Sequence, residues 1–191
     1  MSKEATGKII GFDMDGVIID NTANKIKLAK RFGVDLSPGD TTADFIETIV
    51  PEEILAKMRP LLYDDPVMAL EASLLDGARE GLLRVKDSGQ PYFLISRRRN
   101  SPMAIKLLEK HGIWPAIFNE KNAFFVREPE EKNAHAIRLG IDLYVDDQPS
   151  VLAKLPAVKT RLLFDRFGKF GPLSFVNGRI SSWEELLGHL I

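Results

Sequence analysis

The chain has 191 residues, 45% of them hydrophobic and 28% charged, with a formal net charge of -1 and no cysteine. This is globular composition, long enough for one domain plus a modest insertion. It gives no electrostatic basis for binding nucleic-acid polymers, and it excludes disulfides, thiolate catalysis and Cys-based zinc or iron–sulfur centres.

The lack of cysteine agrees with a cytoplasmic location. The polar opening MSKEATGK has no apolar core of signal-peptide length before Asp13. No apolar run reaches the roughly 18 residues that a membrane span needs.

In chain order, Lys8 to Phe12 (KIIGF) reads as a short buried strand that stops at Asp13. Thr22 to Phe32 reads as a helix with Ile26 and Ala29 on one face and Gly33 as its stop. Residues 35–40 (DLSPGD) form a loop. Thr42 to Ile49, Glu52 to Leu62 and Pro66 to Leu75 read as three short helices, punctuated by Pro51, Pro60 and Asp64-Asp65-Pro66. No strand is expected between residues 22 and 75.

An alternating pattern follows. Ala78 to Ser88 is helical and ends at Gly89, and Pro91 to Ile95 is a strand ending at Ser96. Ser101 reads as the N-cap and Pro102 as the first residue of a helix that closes at Gly112. Ala116 to Phe118 and Ala123 to Val126 read as short strands, and Glu130 to Leu139 as a helix closed by Gly140. Ile141 to Val145 is a strand ending at Asp146-Asp147; a helix starts at Pro149 and a strand covers Arg161 to Phe164. Ser182-x-x-Glu185 is a capping box for a last helix.

This rhythm predicts an α/β fold: a Rossmann-like parallel sheet with helices on both faces, interrupted by an all-helical insertion. Functional groups in such sheets lie just past the C-terminal ends of the strands. Asp13, Asp15, Ser96, Asp146 and Asp147 would share that rim. The three histidines, His111, His135 and His189, read as structural residues on helices.

DxDGV after the first strand, LIS ending a later one, a lysine at a helix start and the acidic pair of YVDD occur in that order. Together they resemble the haloacid dehalogenase (HAD) superfamily, over roughly residues 8 to 155. The resemblance implies a core of residues 1–21 and 74–191 and a small cap of the C1 type over residues 22–73. It also implies a Mg²⁺-dependent phosphatase.

In that frame Asp13 would attack phosphorus and form an aspartyl-phosphate. Asp15, on the same side of an extended segment, would protonate the leaving oxygen and then activate water. Its presence disfavours a dehalogenase, because halide needs no proton to leave. Ser96 would donate to a phosphoryl oxygen. Lys132 would neutralise charge on Asp13 and the phosphoryl group, with Lys121 as its rival; the Lys-Pro often found there in the family is EEKNAHAI here.

Asp147 would be a direct metal ligand with Asp13 and the Asp15 carbonyl, and Asp146 would stand behind it. Of Arg97, Arg98 and Arg99, Arg97 is nearest to the expected phosphate site and is the choice for reading substrate. VDDQPSVL followed by RLLFDR is similar to the 5'(3')-deoxyribonucleotidases, with Gln148 in place of an arginine. Phe45 and Tyr63 could stack on a base, but packing within the cap is the plainer reading.

The implied partner is a small phosphorylated metabolite, a nucleotide or a sugar phosphate. A phosphomutase on the same scaffold and a non-catalytic phosphate- or nucleotide-binding module are the alternatives. The turn-rich stretch after Gly168 carries no functional reading.

Overall fold

The computed structural model describes residues 7–191. The polar stretch 1–6 lies outside them. Six parallel strands form one sheet in the order β5-β4-β1-β6-β7-β8. They are β1 (Ile10–Phe12), β4 (Tyr92–Ser96), β5 (Ala123–Phe125), β6 (Leu143–Asp146), β7 (Thr160–Phe164) and β8 (Gly178–Ile180). β1 is central, with Phe12 opposite Leu94 on one side and Val145 on the other.

Strands covered on both faces must be apolar throughout, and β1 is buried at all three positions. On one face Ile10 and Phe12 pack with Ala78, Leu82 and Val85 of α4 (Ala78–Asp87), with Ala104, Leu107 and Leu108 of α5 (Ser101–Lys110) and with Trp183 and Leu186 of α8 (Trp183–Leu190). On the other face Ile95 and Tyr144 pack with Ala136 of α6 (Pro129–Leu139) and with Val151 and Leu152 of α7 (Pro149–Leu152). Gly11 leaves room for Tyr144, since a Cβ there would stand 2.4 Å from its ring.

Between β1 and α4 the chain leaves the sheet. α1 (Thr22–Arg31), α2 (Glu52–Tyr63) and α3 (Pro66–Glu71) gather around a separate core of Leu28, Val50, Leu55, Met58, Leu62 and Met68. A two-stranded antiparallel ribbon closes the base of this excursion: β2 (Ile19–Asp20) pairs with β3 (Ser73–Leu74).

Four local expectations are corrected. The helix over Pro66 to Leu75 stops at Glu71, because Ser73 and Leu74 pair with β2; this is also a strand where none is expected. Thr42 to Ile49 is not an α-helix: 3₁₀ turns cover Pro38–Thr41 and Ile46–Thr48, and Asp44 between them has φ +60°. Ala116 to Phe118 is a turn, whose Ala116 and Ile117 carbonyls accept from Lys86 Nζ, Tyr92 Oη and Asn122 Nδ2 rather than from a strand. α5 is capped by Asn100, whose side chain accepts from the Met103 amide, so Ser101 lies inside the helix. The stretch after Gly168 also supplies an edge strand, β8.

A candidate active site at the strand ends

β1, β4 and β6 end side by side, and their next residues meet at one rim. Asp13 follows β1 with its amide on the Val145 carbonyl (2.9 Å). Ser96 closes β4 and Asp146 closes β6; both are buried. Gly16 turns the loop with φ +76°, and a Cβ there would stand 2.0 Å from Asp147 Oδ2. Glycine is required twice, for backbone sign and for room.

Lys132, in the first turns of α6, reaches this rim from the second face. It has no exposed surface, and Nζ donates to Asp13 Oδ1 (2.6 Å) and to Asp146 Oδ2 (2.8 Å). The Tyr144 ring lies 5.4 Å from the ammonium. Burial alone would lower the Lys132 pKa, but the two carboxylates outweigh it and hold the amine charged. Lys121 sits on an exposed turn.

The acids differ in state. Burial, followed by the Asp146 and Asp15 charges, outweighs Lys132 and pushes the Asp13 carboxyl up to about 6. Asp146 is satisfied at both oxygens, by Lys132 and by the Gln148 amide (2.9 Å). The Asp147 carboxyl is pushed well up by burial and by Asp146, and among the described residues it accepts no hydrogen bond.

One oxygen from each of Asp13, Asp146 and Asp147 lies within 4.8 Å of the others. Three partly desolvated carboxylates at this spacing, with one lysine between two of them and Asp147 without a hydrogen-bond donor among the described residues, suit a hard divalent cation with oxygen ligands. The residues therefore fit Mg²⁺, with Asp147 the acid freest to bind it. The Asp15 carboxylate is not in this cluster.

Asp15 faces a different partner. Arg98 Nε donates to its Oδ2 and Nη2 to its Oδ1, both at 2.8 Å, and Asn21 Nδ2 adds a bond of 2.6 Å to Oδ1. Burial pulls the Asp15 pKa up, yet Arg98, Lys25 and Asn21 together hold it below the usual carboxylate range. The Arg98 side chain is only 2% exposed, and Tyr63, the last residue of α2, lies over it at 4.5 Å.

Arg98, not Arg97, is thus the arginine that enters the rim. Arg97 points to the Gln148 side-chain oxygen, and Arg99 is exposed beside Glu128. A legible signal existed: in extended chain the residue two after Ser96 shares its side; Arg97 turns instead toward Gln148, still on the cleft.

A cleft of about 650 Å³ opens between this rim and the helical excursion. Asp13, Asp15, Ser96, Arg97, Arg98 and Asp147 form its floor side; Lys25, Ile46, Leu55, Met58 and Tyr63 belong to the excursion. Asp44 ties the two parts. Its carboxylate accepts from Gln148 Nε2 (2.7 Å) and from the Ser150 amide and hydroxyl (2.7 and 2.9 Å). Nothing local in the sequence announces this contact, which spans about a hundred residues. Phe45 lies against Lys169, with Nζ 4.6 Å from the ring centre, rather than in the cleft wall. His111 bonds the Ala72 carbonyl and His135 packs on Phe124, both away from the rim.

The model of the family described as "5' nucleotidase, deoxy (Pyrimidine), cytosolic type C protein" matches residues 7–190. Among solved structures, an HAD family hydrolase from Deinococcus radiodurans with bound phosphate and sodium is 17% identical, with a TM-score of 0.64 over 98% of this chain and 99% of that one. An HAD hydrolase of family IA, variant 3, from Entamoeba histolytica is 19% identical, with a TM-score of 0.62 over 93% and 94%. A dehalogenase with an intermediate complex is 16% identical, with a TM-score of 0.68 over 98% and 99%. These likenesses show a common fold. No curated protein matches the chain significantly.

Proposed function

Because the chain belongs to the cytosolic type C 5'-deoxynucleotidase family, a branch of HAD-like phosphatases, we propose that it hydrolyses a small phosphomonoester through an aspartyl-phosphate on Asp13. The observation that carries this reading is the buried Lys132 held between Asp13 and Asp146, with Asp15 two residues on and Ser96 ending the next strand.

An Asp13 oxygen attacks phosphorus as the bond from phosphorus to the leaving oxygen breaks. The leaving oxygen takes its proton from Asp15. Water then attacks the phosphoryl group, gives a proton back to Asp15 and releases Asp13 and inorganic phosphate. Lys132 and the Ser96 hydroxyl stabilise charge on the phosphoryl oxygens, and Lys132 also orients Asp13. Mg²⁺, held by Asp13, Asp147 and the Asp15 carbonyl, would neutralise the phosphoryl charge that Asp13 must approach.

The helical excursion acts as the cap over the cleft and excludes water during transfer. Its volume, about 650 Å³, suits a nucleoside monophosphate or a sugar phosphate. The apolar wall of Ile46, Leu55 and Met58 beside Tyr63 supplies a surface for the part that is not phosphate.

The test is phosphate release from nucleoside monophosphates, deoxynucleotides and sugar phosphates, with Mg²⁺ and with EDTA. Mg²⁺-dependent release that disappears in Asp13→Asn is expected. Transfer of the phosphoryl group to a sugar instead of water would move the assignment to a mutase. Metal-dependent ligand binding with no product would move it to a binding module.

A further inference from the structure

Resting on that reading, we infer that Arg99 and Arg127, with Arg97 beside them, form a second anion subsite at the mouth of the cleft. The substrate it selects is a phosphomonoester on a non-aromatic skeleton that carries a second anionic group, a phosphate or a carboxylate.

The strand order places the subsite. Ser96 lies opposite Phe125, and the Val126 amide donates to the Ser96 carbonyl (2.9 Å), so β4 and β5 leave the sheet side by side. The loop after β4 carries Arg97 and Arg99, the loop after β5 carries Arg127, and all three line the cleft. β5 stands two strands from β1, which is about 10 Å at the usual spacing. An anion held there belongs to the substrate but is not the phosphoryl group at Asp13.

The charge on these arginines is unmatched. The Arg127 amide donates to Glu131 Oε2 (3.5 Å), but its guanidinium has no partner among the described residues. Arg97 donates to a neutral oxygen, that of the Gln148 side chain. Arg99 lies 3.7 Å from Glu128 with both side chains exposed, a pair that contributes little. The acids that follow are engaged elsewhere: Glu130 pairs with Lys154 (2.9 Å), and Glu131 accepts from the Arg127 and Glu128 amides. Cations gathered on one edge repel one another until an anion joins them, and planar guanidinium forks match phosphate and carboxylate.

The other side of the cleft does not suit a nucleobase. Among the described residues that line it, Tyr63 is the one aromatic. Its ring packs against the core of the helical excursion and has Arg98 over one face at 4.5 Å. Lys25, Glu47 and Arg59 on that side offer donors and acceptors to hydroxyl groups instead.

The test compares matched esters: fructose 1,6-bisphosphate with fructose 6-phosphate, 6-phosphogluconate with glucose 6-phosphate, and deoxyuridine 5'-monophosphate as the nucleotide. In wild-type protein with Mg²⁺, the doubly anionic member of one pair should exceed both its partner and the nucleotide in kcat/KM by about tenfold or more. The pair that shows this tells phosphate from carboxylate. Arg127→Gln and Arg99→Gln should each cut the preference about fivefold, mainly through KM, because the contact lies away from the reacting atoms. Arg31→Gln removes the same charge from the exposed end of α1, outside the cleft, and should keep the preference within about twofold. A smaller wild-type preference, a highest kcat/KM with the nucleotide, an unchanged preference in the two cleft variants, or an equal loss in Arg31→Gln overturns the inference. Calorimetric Kd values for the same ligands on Asp13→Asn read the preference without turnover. Absence of phosphate release from every ester would therefore sink the phosphatase reading alone, and the Kd ratios would still decide the subsite.

Discussion

Lys132 is the residue on which the site's electrostatics turn. With no exposed surface and two carboxylate partners, it is the counter-charge for a cluster that could not otherwise stay ionised in the interior. Lys132→Met would leave Asp13 and Asp146 facing each other without it. Breaking a buried pair from one side costs about 3–5 kcal/mol, and urea denaturation should register a loss of that size along with lost phosphate release. Asp13→Asn should act differently: it preserves shape and removes only the proposed nucleophile, so phosphate binding should persist while turnover falls by about 10⁴-fold or more. At Gly16, alanine would combine a positive φ with a Cβ 2.0 Å from Asp147. Thermal unfolding should show a loss of about 2 kcal/mol or more.

Among the elements, the tie between the helical excursion and the rim is the informative one. Asp44 adopts φ +60° and spends its carboxylate on Gln148 and Ser150, next to the acidic pair. Asp44→Ala should raise KM by about five- to tenfold with a smaller effect on kcat, and should speed hydrogen exchange across residues 38–48. Here the sequence and the structure part company in an instructive way. The strands ending in Asp13, Ser96 and Asp146 were legible because each is a short apolar run stopped by a polar residue. Lys132 was legible through order along the chain, as the lysine preceding the YVDD strand. The two-residue step from Ser96 could put Arg98 on the rim, but its fork on Asp15, 83 positions away, was not legible, because periodicity carries no such long-range geometry. Likewise β2 and β3 are two residues each, too short for any alternation to register.

For the whole molecule, the acids make stability depend on both pH and metal. In the metal-free protein the Asp13 carboxyl is raised to about 6 and Asp147 is raised as well. A carboxyl raised on folding binds protons more tightly folded than unfolded, so the metal-free fold loses stability as pH climbs from about 4 to about 6; Asp13 alone accounts for about 3 kcal/mol. A cation that binds the same oxygens competes with those protons. Mg²⁺ at about 100 times its Kd should therefore raise Tm by about 5–10 °C near pH 7.5 and by less than half of that near pH 5, as differential scanning fluorimetry would record. Equal shifts at both pH values would mean that the ion binds elsewhere.

The indole of Trp183 donates to the Val17 carbonyl at 2.7 Å, across 166 positions of chain, and its ring stacks on Phe12 at 5.7 Å. The loop that carries Asp13 and Asp15 is thus buttressed by the last helix of the fold. β1 itself pairs only with strands from far downstream, beginning at Tyr92 and Leu143. In folding, then, the DxDGV segment depends on contacts of high sequence separation, and its loop takes its final shape only after β4, β6 and α8 have docked around it.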